Sequence, residues 1–214
     1  MVNQNFNNMG KIFFSVGMSL DGLIAGPNGG PKNPLGDGGI EIHKWLFNQK
    51  SFREQLGLGE GGETGKDNDL VNEINSRTGA NIMGKRMFEE GEANWPENAP
   101  FHCPVYVLTG QKRAPWERKG GTTFYFVNDG LQNALEKAKK AAGSKDIRIS
   151  GGASVIQQFL NAGLINEFLI SYAPIFILKG VRLFDNINRN NINVSMVEVV
   201  NSLLVTHLRY KVTY

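Results

Sequence analysis

A chain of 214 residues with a formal charge of +3 and a single cysteine is long enough to bury a substantial core, as one large domain or two small ones. Cys103 alone excludes an intramolecular disulfide and any zinc site built on two cysteines, and it favours a reducing, cytoplasmic setting. No block of like charges and no apolar run approaching the roughly 20 residues of a membrane span occurs, so neither nucleic acid nor a bilayer is an expected partner.

In chain order, residues 1–10 read as a flexible polar tail without the charged-then-apolar order of a signal peptide. Residues 11–214 read as one domain. Lys11 to Met18 is a nearly continuous apolar run, as in a strand covered on both faces. Ser19-Leu-Asp-Gly22 is a turn, Leu23 to Ala25 a brief apolar return, and Gly26 to Gly39 a long Gly/Pro/Asn loop of the kind that carries function. Glu41 to Phe47 looks helical, with Ile42, Trp45 and Leu46 on one side. Gly57 to Asp69 is an acidic glycine-rich insertion.

A helix is expected from Leu70 to Arg77, ended by Gly79, then a short strand at Ala80 to Met83 and a helix opening at Gly84. Pro104 to Thr109 and Thr122 to Val127 read as strands. Asp129 with Gln132 forms a capping-box variant for a helix with Leu131, Ala134, Leu135, Ala138 and Ala142 inward and Gly143 at its end. Asp146 to Leu160 reads as strand, diglycine turn and helix. Glu167 to Tyr172 and Ile175 to Leu178 are strand-like. Val194 to Val200 and Leu203 to Tyr214 form a terminal hairpin. The pattern predicts an α/β fold with a mostly parallel mixed sheet, helices on both faces and a C-terminal antiparallel hairpin.

Two motifs are decoys. Gly57-Leu-Gly-Glu-Gly-Gly62 satisfies G-x-G-x-x-G but follows a polar, helical stretch rather than a strand. Gly65-Lys66 lacks the first glycine and the Ser/Thr of a P-loop. His43, His102 and His207 are far apart, and no metal is expected. Three strand ends remain: Met83-Gly-Lys-Arg-Met-Phe88, Leu108-Thr-Gly-Gln111 and Ser150-Gly-Gly-Ala-Ser154. An isolated Gly-Gly is more often a plain corner, since turns are glycine's default use. Recurring at three strand ends, such turns offer backbone donors, a hydroxyl and the Arg86 fork to a ligand with several phosphates.

Ser19-Leu-Asp-Gly22, Ile24-Ala-Gly26, the Met83 to Phe88 and Pro104 to Thr109 stretches, Ile149-Ser-Gly-Gly-Ala153, Leu164-Ile-Asn-Glu167 and Gly180-Val-Arg-Leu-Phe184 together resemble the dihydrofolate reductase superfamily. Within it they resemble the bacterial branch related to the reductase domain of riboflavin biosynthesis (RibD C-terminal type). The resemblance runs in order from about Lys11 to the C-terminus. It implies a three-layer dihydrofolate-reductase-like fold and an NADPH-dependent reductase acting on a small molecule resembling dihydrofolate or a riboflavin precursor. The alternative is a non-catalytic NADPH-binding protein on the same fold. Gly84, Lys85, Arg86 and Met87 would hold the adenosine phosphates, with Leu108 and Thr109 on the adenosine side. Gly151, Gly152, Ala153 and Ser154 would hold the pyrophosphate, and Val16, Ile24 and Ala25 would border the nicotinamide.

Trp45, with Phe47, is the candidate apolar wall for substrate, and ordinary packing is the competing role. The catalytic acid stays open between Glu41, Asp21 and Asp37, with Asp21 also suited to a turn. The family's usual Gly-x-Gly before Arg-Leu-Phe is broken, leaving Leu178-Lys179-Gly180. The hairpin and the apolar Tyr172 to Leu178 stretch suggest a homodimer face.

Overall fold

The computed structural model describes residues 10–214; the expected N-terminal tail lies, but for Gly10, outside them. The main sheet contains β1 (Ile12–Ser19), β3 (Thr78–Gly84), β4 (Pro104–Leu108), β5 (Trp116–Glu117), β6 (Thr123–Val127), β7 (Asp146–Gly151), β8 (Glu167–Ala173), β10 (Asn193–Asn201) and β11 (Thr206–Thr213). The short β2 (Leu23–Ala25) pairs with β9 (Val181–Arg182) in a separate two-stranded sheet. The nine-stranded order is β10-β11-β8-β1-β7-β3-β4-β6-β5. The six strands from β8 to β6 run parallel, and β5, β11 and β10 are antiparallel to their neighbours.

Among the described residues six α-helices complete the fold: α1 (Lys44–Phe47), preceded by a 3-10 turn at Gly39–His43, α2 (Lys50–Gln55), α3 (Lys66–Arg77), α4 (Lys85–Glu92), α5 (Leu131–Ala142) and α6 (Ala153–Asn161). Period-two alternation divides the side chains between the two faces of the sheet. Phe14, Ile82, Tyr106, Ile147 and Ile149 pack with Leu135 and Ala138 of α5 and Ile156 and Phe159 of α6. Phe13 and Leu169 pack with Leu70 and Ile74 of α3. Met83, Val105, Val107 and Phe124 meet Phe88 of α4. A sheet buried on both faces needs apolar residues at nearly every position, hence the continuous run in β1.

The α/β architecture with layered helices and a terminal antiparallel hairpin is as expected. Several local readings are corrected. Ile175 to Leu178 forms no strand; it is held from outside by Asp21, which takes the turn role. Lys66 to Asp69 already belong to α3, and Gly79 lies within β3. Gly130, not Asp129, caps α5, and no side chain accepts from its first N–H groups. The Asp129 carboxylate instead accepts from Asn133 and pairs with Lys137.

Candidate functional site

The carboxyl ends of β1, β3, β4, β6 and β7 lie along one edge of the sheet. From β3 the chain leaves through α4 toward β4. From β7 it leaves through α6 toward β8, on the opposite face. A crevice opens where the two connections diverge, as parallel sheets require. Its volume is about 1670 Å³.

Its rim is made of glycine for a steric reason. A Cβ at Gly84 would lie 2.9 Å from Val155 Cγ2 and 3.8 Å from the Gly151 carbonyl oxygen, so the two glycine turns sit against each other. Gly151 has φ +127°, open to glycine at no steric penalty. The helices α4, α5 and α6 start at Gly84, Gly130 and Gly152. None of these starts carries a side-chain cap, and none has an acidic residue in its first turn. Three sets of unsatisfied N–H groups and three positive dipole ends thus face one crevice.

Val16, Ile24, Ala25, Gly84, Lys85, Arg86, Met87, Leu108, Thr109, Gly151, Gly152, Ala153 and Ser154 all line this crevice, although they come from widely separated parts of the chain. Thr109 donates its N–H to Val127 and accepts from Gln111 N–H, leaving its own O–H free. Arg86 is not a waiting cation. It pairs with Glu90 at 2.9 Å, and Lys85 pairs with Glu89 at 3.5 Å. Such exposed pairs on one helix are worth only a few tenths of a kcal/mol, so a phosphate displaces them easily. The lining carries Lys85, Arg86, Lys145 and Arg148 against one carboxylate, Glu90.

The acid candidates are placed elsewhere. Glu41 is exposed, paired with Lys44 at 3.3 Å, and off the lining. Asp21 accepts from Ile177 N–H and Leu178 N–H, and the hydroxyl of Ser19 leads the hydrogen bonds that hold its pKa near 2. Asp37 is tied to Asn28 and Asn33, both at 2.7 Å, within the 26–39 loop. Trp45 lines the crevice but is mostly buried, its ring centroid 4.8 Å from that of His207 in an edge-to-face arrangement. Phe47 and Phe52, 6.0 Å apart, are the more open aromatic surface.

Sequence reasoning missed the crevice floor. It is the face of β1, β7 and β8 that carries Phe13 and Leu169 lower down, but toward the strand ends it turns to Ser15, Gly17, Arg148, Ser150 and Ser171. His43 lies over Gly17, where a Cβ would stand 3.0 Å from its Cε1. Burial, and then the charge of Arg148, bring the His43 pKa down to about 4, so its imidazole is neutral. Ser171 Oγ meets His207 Nδ1 at 2.7 Å, and His207 Nε2 meets Asp67 Oδ1 at 3.1 Å. This buried string fastens α3 to β8 and β11. Burial lowers the His207 pKa, against the pull of Asp67. The signal missed was polar residues alternating within a strand otherwise apolar on both faces.

The G-x-G-x-x-G stretch joins two helices and follows no strand, so its pattern carries no dinucleotide site. Among the described residues no cluster of His, Cys, Asp or Glu suits a metal, and no helix is long and apolar enough to cross a membrane.

Comparison with known proteins agrees with this architecture. A family model described as the RibD C-terminal domain matches residues 10–206. The uncharacterized protein YyaP of Bacillus subtilis (strain 168) is 42% identical over 72 residues, which span 34% of this chain and 37% of YyaP; the match thus covers well under half of that relative's length. A putative riboflavin biosynthesis protein from Shewanella sp. PV-4 superposes with a TM-score of 0.63 at 19% identity, covering 95% of this chain and 99% of the other. The dihydrofolate reductase of Enterococcus faecalis, complexed with NADP(H) and RAB-propyl, superposes with a TM-score of 0.51 at 13% identity, covering 96% and 98%. At these identities the structural matches establish the dihydrofolate-reductase-like fold.

Proposed function

The chain belongs to the RibD C-terminal domain family, and on that premise we propose that it is an NADPH-dependent reductase acting on a small heterocyclic or carbonyl substrate. The observation that carries this reading is the convergence of three uncapped, glycine-started helices on one crevice rich in cations. A ligand with several phosphates satisfies all three. NADPH, when bound, supplies the hydride.

In this reading Gly151, Gly152, Ala153 and Ser154 take the pyrophosphate through the N–H groups that open α6. Gly84, Lys85, Arg86 and Met87 take the adenosine phosphates, with Arg86 leaving Glu90 for the 2′-phosphate. Leu108 and Thr109 border the adenosine, and Val16, Ile24 and Ala25 border the nicotinamide. Trp45, Phe47 and Phe52 exclude water on the substrate side. Neither Glu41 nor Asp21 delivers the proton; it comes from water or through the His43 ring.

One observation favours a second reading, a non-catalytic NADPH-binding protein. The only carboxylate on the lining, Glu90, is already paired with Arg86 and accepts from Leu35 N–H. NADPH binding by fluorescence, then NADPH oxidation with dihydrofolate and with the pyrimidine intermediate of riboflavin synthesis, separates the two. Arg86→Ala is expected to weaken NADPH binding at least tenfold. Unchanged affinity in that variant refutes the assigned cofactor site.

We also propose a homodimer. The edge strand β10 is exposed almost throughout and presents Val194, Met196, Val197 and Val199, a surface that favours pairing with a second strand. Light scattering that gives a monomer at tens of micromolar refutes it.

A further inference from the structure

We propose that the crevice floor is a subsite for a single negative charge, a carboxylate carried on a flat ring, and that Arg148 receives it. This names a substrate class for the reductase proposed above and rests on that reading.

Arg148 sits on β7, inside a nine-stranded sheet, in register with Phe13 on one side and Asn81 on the other. Both neighbours are 2% exposed, while Arg148 keeps partial exposure. From a central strand that exposure leads only to the crevice it lines. Its one hydrogen bond runs from Nη2 to the Ser15 carbonyl oxygen at 3.1 Å, and its Nε is buried without a partner. Among the described residues no carboxylate lies within ion-pair distance of it. Two other half-buried arginines are compensated: Arg77 meets Asp146, Glu167 and Glu73, and Arg209 meets Glu73, Glu167 and Glu198. Among the described residues Arg53 and Arg118 share the unpartnered Nε and lack a carboxylate, but they lie off the crevice lining.

The residues around Arg148 leave its charge uncompensated. Asn81 is committed to Ser150 and Cys103, and Ser171 to His207. His43 is neutral, as its low pKa requires. Burial has brought the guanidinium down to about 10, still protonated at neutral pH. A buried cation without a counter-charge is costly, and a matching anion relieves that cost. One fixed cation matches one negative charge, and the guanidinium fork matches a carboxylate. A phosphate dianion would leave surplus charge in a site of low dielectric. The same crevice is lined by Trp45, Phe47 and Phe52, apolar surface that suits a flat ring.

The test uses benzoate, benzyl alcohol and phenyl phosphate as probes, titrated against the full chain without NADPH and followed by tryptophan fluorescence and calorimetry. Benzoate is expected to bind at least tenfold more tightly than benzyl alcohol. Arg148→Met is expected to abolish that preference, and Arg148→Lys to keep most of it, with thermal melts confirming folded protein. Equal affinity for benzoate and benzyl alcohol overturns the proposal. So does a preference for benzoate that survives in Arg148→Met, or phenyl phosphate binding tenfold tighter than benzoate. Should Arg148→Met fail to fold, the parent and Arg148→Lys decide: loss of the preference in the lysine variant counts against the proposal. The titrations need no cofactor. A protein that binds NADPH but ignores benzoate refutes the subsite alone, and one that binds benzoate but not NADPH refutes the reductase reading alone.

Discussion

His43 makes the stability of the fold depend on pH. Its ring lies over Gly17, beside Arg148, and the folded protein resists protonating it until about pH 4. The unfolded chain takes up that proton near the ordinary histidine value of 6.5. Because the folded pKa is the lower one, the contribution is complete above pH 6.5 and is lost as pH falls toward 4. Linkage between those two values gives a loss of about 2–3 kcal/mol between pH 7.5 and pH 4.5. Other groups also contribute to the pH dependence, so the effect must be read as a difference. Urea unfolding of the parent and of His43→Gln, followed from pH 7.5 to 4.5, isolates it. The parent is expected to lose about 2–3 kcal/mol more than the variant across that range. If the two curves run parallel within about 0.5 kcal/mol, His43 charges as readily folded as unfolded, and water reaches the floor freely.

Two further outcomes follow from the same geometry. Leu178 is 78% exposed and has φ +70°, a conformation that suits glycine. Leu178→Gly is expected to raise stability by up to about 1 kcal/mol in thermal unfolding, the relief of strain outweighing the added chain entropy. A drop in melting temperature refutes the strain argument. Arg77 joins Asp146 at 2.5 Å and Glu167 at 2.7 Å, with all three side chains under 20% exposed. Arg77→Met is expected to cost about 3 kcal/mol in urea unfolding, because it leaves two half-buried carboxylates short of a partner. A cost below about 1 kcal/mol shows that Lys11 and solvent satisfy them.

The sequence alone determined the framework. Continuous apolar runs marked strands covered on both faces, and helical spacing with terminal glycines marked α5 and α6, because those signals are local and set by backbone geometry. The glycine turns at Gly84 and at Gly151–Gly152 were legible as strand-end turns for the same reason, and the structure brings them to one crevice. Boundaries were less legible. Ile175 to Leu178 has the composition of a strand, yet no neighbour offers it a ladder, and Asp21 satisfies its N–H groups instead.

Only the tertiary structure decided what meets across the crevice. Gly130 joined the crevice because the start of α5 falls beside strands remote from it in sequence. Glu41, Asp21 and Asp37 were chemically suitable acids, but side-chain direction and hydrogen bonding remove each from the lining. In sequence, Arg148 is one of three polar residues, with Asp146 and Ser150, that alternate with Ile147 and Ile149 in β7. Its meaning depends on which carboxylates lie near it, and that is set by long-range packing: Arg77 and Arg209 share a carboxylate network at one end of the sheet, while Arg148 faces the cavity.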